Sequence, residues 1–146
     1  MSAAPSPRRR LPVLTAAALA VVVLLAAPAC ARKYRAEQDG KDVGQAVCDL
    51  RDPSDEDTAR SDLEELNAEI DDLADDFALF TAEDRADLEE NLVDLVEHTL
   101  QDNDVLIQQD ITVIRRSLDN IRDDLGDTGQ AAVDGILEGL DDCDNG

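Results

Sequence analysis

The chain has 146 residues, 43% of them hydrophobic, with 35 acidic and 13 basic side chains and a formal net charge of −22. That length fits one domain of ordinary size, and the charge argues against nucleic-acid binding, whose phosphate contacts need basic residues. Two phenylalanines, one tyrosine and no tryptophan argue against an aromatic-lined ligand pocket.

The charge is unevenly placed. Arg8, Arg9 and Arg10 precede Cys30 and no acid does, so ten basic and 35 acidic residues follow it, a balance of −25. The stretch Arg8–Cys30 itself runs from three arginines through an apolar segment, Leu11 to Ala27, to small residues and a cysteine. That is the order of a secretory signal: basic region, apolar core, small-residue cleavage site. The apolar part is too short and too rich in alanine to favour a stable span, which needs about 20 apolar residues.

Leu24-Leu25-Ala26-Ala27-Pro28-Ala29-Cys30 resembles the end of a bacterial lipoprotein signal peptide, with Ala27 where that family favours Leu. The resemblance implies cleavage before Cys30 and a lipid on its thiol. Ala27-Pro28-Ala29 is also an Ala-x-Ala site for ordinary signal peptidase, which cuts at the same bond and leaves Cys30 unmodified. The export route, general secretory or twin-arginine, stays open. Cysteine arithmetic agrees with lipidation: once Cys30 is assigned, Cys48 and Cys143 remain as a pair near the two ends of the mature chain. An exported chain meets oxidising conditions, in which that pair would persist as a disulfide.

After Cys30, residues 31–43 read as a tether whose Arg32, Lys33 and Arg35 would lie beside the lipid, where an anionic surface attracts them. Val43, Val47 and Leu50 place a short helix next, with Cys48 beside the core, and Asp52-Pro53-Ser54 ends it. From Ser54 to Leu125 there is no Gly or Pro. Ala59, Leu63, Leu66, Ile70, Leu73, Phe77 and Phe80 form a seam stepping by fours and threes, the pattern of a long helix with one apolar face.

Continuing that seam would bury Asp84, Asp87 and Asn91, so Thr81-Ala82-Glu83-Asp84 is read as a new cap. The second long helix turns Leu88, Leu92, Leu95 and Thr99 inward, with Val93, Val96 and Leu100 widening the face. Gln101–Asp104 is a turn. The third carries Ile107, Ile111, Ile114, Leu118, Ile121 and Leu125, and Gly126 is expected to close it in a left-handed conformation. A last helix holds Ala132, Val133, Ile136, Leu137 and Leu140, and its Ala131, Gly135 and Gly139 read as a close-packing face rather than a dimer contact.

The expected fold is all-α: an up-down bundle of three long helices plus short terminal helices, after a cleaved N-terminal signal segment. The divisions are 1–29 signal, 30–42 lipid-anchor site and tether, and 43–146 acidic bundle. Short connections make neighbours antiparallel and return Cys143 to the neighbourhood of Cys48. An extended rod using the same seams between chains is the competing architecture.

Chemistry is sparse. His98 is the single histidine and has no second His or Cys at ligand spacing. The Asp pairs at 71–72, 75–76, 123–124 and 141–142 do not form an EF-hand loop. No Ser-His-Asp set and no Gly-rich phosphate loop is assignable. The expected function is therefore non-enzymatic and needs no cofactor and no resident metal. The chain would be an extracytoplasmic lipoprotein on the outer face of the cell membrane, held by a lipid on Cys30, and secreted if Cys30 is not lipidated. Its helical domain would act as an interaction or structural module for an envelope protein. The competing class is a carrier of a hydrophobic ligand or of divalent cations.

Overall fold

The computed structural model describes residues 14–145, with side chains from residue 28 on. The basic region Arg8–Arg10 lies outside the described residues, as do the side chains of the apolar run through Ala27. Two compact units divide the chain, Met1–Ala31 and Arg32–Gly146. The fold is all-α: α1 (Leu14–Asp49), α2 (Glu56–Phe77), α3 (Ala82–Leu100), α4 (Asp104–Arg122) and α5 (Asp127–Asp144). No strand occurs among the described residues. None of the described helices is long and apolar enough to cross a membrane.

In the first unit, α1 carries Pro28 within it. In the second unit the helices share one apolar core. Leu66, Ile70, Leu92, Leu95, Ile114, Leu118 and Leu140 are each no more than 1% exposed. Fully burying side chains of this size is worth about 1.5–3 kcal/mol each, which offsets the self-repulsion of so acidic a chain.

Helix boundaries follow local chemistry. Asp55 caps α2 by accepting the Thr58 amide at 2.8 Å. That bond holds its carboxyl below the usual aspartate range. Thr81 and Asp84 make a reciprocal capping box at the start of α3: Thr81 Oγ1 accepts the Asp84 amide and Asp84 Oδ2 accepts the Thr81 amide, both at 3.1 Å. Asn103 caps α4.

Two ends depart from expectation. Gly126 has φ −72° and opens α5 instead of closing α4. The α4 helix has already stopped at Arg122, where the amides of Asp124 and Leu125 bond back to Ile121 and Arg122 at 3.2 Å and tighten the turn without any left-handed residue. Left-handed residues instead follow α3, at Asp102 with φ 53°, and close α2, at Ala78 with φ 52°. An L-residue there costs about 1–2 kcal/mol that glycine does not. Ala78→Gly is expected to raise stability by about 1 kcal/mol, measured by urea unfolding; an unchanged midpoint would mean that the turn carries no strain.

The largest difference lies at 31–43. The segment read as a tether is helical throughout, and Ala36, Gly40, Val43 and Gly44 are buried. The helix placed at 43–50 is thus the end of α1. It runs parallel to α5 at very short range. A Cβ on Gly40 would collide with the Ala132 carbonyl oxygen, one on Gly135 with the Glu37 carbonyl, and one on Gly139 would stand 2.9 Å from Gly44 Cα. The packing face read on α5 is real, and its partner is α1 of the same chain.

Candidate functional site

Cys30 is exposed and free. Cys48 and Cys143 are placed at disulfide distance, their Cα atoms 6.1 Å apart across 95 residues of sequence. They lie where α1 and α5 end side by side, within the range that a bridge requires. The two cysteines of the second unit therefore account for each other.

Basic residues are few, and most of those described fasten helices together, while Arg60 pairs within α2. Lys41 donates to Glu138 at 3.0 Å and also meets Asp142 at 3.0 Å, bonds that raise its pKa. Arg51 bonds Asp144 at 3.1 Å, and Arg115 reaches Asp141 and Asp144. Arg122 grips Asp134 through Nε and Nη2 at 2.5 and 3.0 Å, which raises its pKa. Arg85 joins Asp71 and Asp75 at 3.0 and 3.2 Å across the α2–α3 turn. None of these partners was legible from spacing along one helix, since most pairs join different helices.

The basic cluster expected to face a membrane is partly spent in the same way. Arg32 donates to the Asp76 carbonyl at 3.0 Å, at the end of α2, and stands 6.0 Å from the Phe77 ring centre. Arg35 bonds Asp39 at 3.3 Å. Of the three, Arg35 alone has an acidic side-chain partner among the described residues; Arg32 is held by a backbone carbonyl, and Lys33 has neither. Tyr34, given no role by the sequence, is 65% exposed.

His98 is neither a bare surface residue nor one of a ligand set. Its Nδ1 stands 2.6 Å from Asp110 Oδ2, and the two side chains, 24% and 13% exposed, tie α3 to α4. Among the described residues, no three His, Cys, Asp or Glu side chains gather in a metal-holding arrangement.

Two grooves mark the second unit. The first lies between α1 and α2, where Asp39, Asp42, Glu69, Asp72 and Asp76 stand over a narrow floor of Val43 and Leu73, with Arg35 the one base. Carboxylates on both walls repel, and partial burial together with Glu65 and Asp42 raises the Glu69 pKa. A raised acid pKa means that the folded state holds the proton more tightly than the unfolded chain. The penalty is complete above the folded pKa and vanishes below the unfolded one. Mild acidification from neutral pH toward the glutamate range should therefore raise the melting temperature, and Glu69→Gln should raise it at pH 7 while flattening the slope. A wild-type melting temperature that falls over that interval would contradict this account.

The second groove lies between the start of α3 and the end of α4. Two adjoining hollows of about 160 and 430 Å³ share Phe80, Asp84 and Ile121. Leu88, Leu118 and Leu125 complete an apolar floor, while Asp87 and Asp124 stand on the rim. Sequence reading put Phe80, Ile121 and Leu125 in the core; all three are only partly covered. They sit at the ends of their seams, where no further helix turn covers them.

No protein-family model matches the chain, and neither a curated protein nor a solved structure matches it.

Proposed function

We propose that this chain is the precursor of a bacterial lipoprotein, cut before Cys30 and held at the outer face of the cell membrane by a lipid on that cysteine. Its acidic up-down helical bundle is a non-enzymatic interaction or structural module. The observation that carries the reading is the order of Arg8–Cys30, basic, apolar, small, cysteine. The structure supports it in one respect: Cys48 and Cys143 are placed together, which leaves Cys30 as the free and exposed thiol.

The reading has a spatial consequence. Ala36, the first fully buried residue after Cys30, lies six residues on, so even an extended chain holds the domain within about 20 Å of the lipid. One acyl chain gives only marginal anchorage alone, and here Lys33 is the uncommitted base nearest to it. A second acyl group on the same cysteine would supply the stable hold.

Intact mass of protein from the membrane fraction of a bacterial host, beside Cys30→Ala, tests the proposal. The expected result is a chain starting at Cys30 with a diacylglyceryl-sized increment, absent from the variant. An unmodified chain recovered from the medium would overturn the anchor and leave a secreted domain.

A further inference from the structure

We infer that the α3/α4 groove docks a basic amphipathic segment of a partner protein, with an apolar anchor over Phe80 and Ile121 and Lys or Arg side chains on the Asp87 and Asp124 rim. The inference rests on reading the domain as an interaction module and names the chemistry of what it would hold.

What sets this groove apart is the division of its lining. In the α1/α2 groove, carboxylates fill both walls above a floor of two aliphatic side chains. That surface attracts any cation and grips none by shape. In the α3/α4 groove apolar and polar groups share the lining more evenly, and the floor contains Phe80, one of the two phenylalanines of the chain. Aromatic side chains in such hollows are common anchors of protein recognition.

The rim gives the sign of the partner. Asp84 is already engaged by the Thr81 amide and hydroxyl at 3.1 and 2.7 Å. Asp87 and Asp124 are exposed and have no basic partner among the described residues, so both carboxylates are open to a cation from outside the chain. Ser117 and Asn120 on α4 add hydrogen-bonding groups along one edge. An apolar trough with unpaired carboxylates beside it complements a helix that has leucines on one face and lysines flanking them. Charge steers the encounter, and the apolar floor fixes where it ends.

The test uses the full chain and a short fluorescein-labelled peptide with leucines at helical spacing on one face and lysines on the other, followed by anisotropy. Phe80→Ala is expected to weaken binding at least about tenfold. The surface pair Asp87→Asn with Asp124→Asn, which leaves the core untouched, should weaken it by a similar factor. Asp42→Asn with Asp72→Asn removes the same charge from the α1/α2 groove and should leave affinity within about twofold. Equal losses in both charge pairs would show that the peptide follows net charge alone, and this overturns the inference. Absence of binding to the wild-type chain overturns it as well. Neither result touches the lipid on Cys30, which is read separately from mass.

Discussion

The double variant Cys48→Ser, Cys143→Ser is expected to lose about 4 kcal/mol of stability, close to the loop-closure value for a cross-link spanning 95 residues. For a single domain of this length that is a large share of the 5–15 kcal/mol typical of folded proteins. The position of the pair sharpens the expectation. It joins the last turn of α1 to the last turn of α5, and near it this end of the chain buries only three large side chains, Val43 and Val47 on α1 and Leu50 just past it. Arg51–Asp144 at 3.1 Å is the neighbouring polar tie, half-exposed and therefore weak. Urea unfolding of the wild-type chain with and without a dithiol reductant, beside the double variant, measures the effect. Reduced wild-type and variant should coincide, and the variant should ignore the reductant. Superimposed curves for oxidised and reduced wild-type would mean that the pair is not bridged.

How much of this was legible in the sequence depends on what each helix uses for packing. The α4 seam of Ile107, Ile111, Ile114 and Leu118 is buried as its spacing indicates, because large aliphatic residues at threes and fours define a face on their own. The same holds for Leu88, Leu92, Leu95 and Thr99 on α3, although Val93 and Leu100, assigned to a wider face, are 41% and 39% exposed. A seam fixes direction; its width depends on the neighbours.

The α1 helix escaped this logic. Its inner face over 36–44 is Ala36, Gly40, Val43 and Gly44, which carry almost no hydropathy signal, and the intervening Glu37, Asp39, Lys41 and Asp42 look like a solvated linker. The available clue was a match between two distant stripes: Ala36, Gly40, Gly44 and Ala131, Gly135, Gly139 share one four-residue step. Stripes of that kind let backbones approach closely. The candidate site was less legible still. Phe80, Ile121 and Leu125 become a groove only because two seams end at the same level, and this is a property of helix lengths in three dimensions.

Those stripes carry the second large effect. Gly135→Ala is expected to destabilise the fold by about 3 kcal/mol, although helix propensity alone predicts a gain of about 1 kcal/mol. The contest is decided by what the new methyl meets. It runs into the Glu37 carbonyl oxygen and comes within 2.9 Å of the Lys41 amide nitrogen, both backbone atoms of a helix that cannot turn aside as a flexible side chain does. Relief requires α1 to back away from α5, and that would strip Ala132, Ile136 and Val43 of contacts now buried. Gly126→Ser provides the control. A Cβ there meets nothing within 4 Å, and a serine at φ −72°, ψ 172° can cap α5, so this variant should gain about 0.5 kcal/mol. Thermal unfolding of the two variants beside wild-type separates the explanations. Opposite shifts mean that backbone contact between α1 and α5 limits stability. A stabilised Gly135→Ala would mean that the helices have room to part, and the disulfide at Cys48 would then be the main hold on α1.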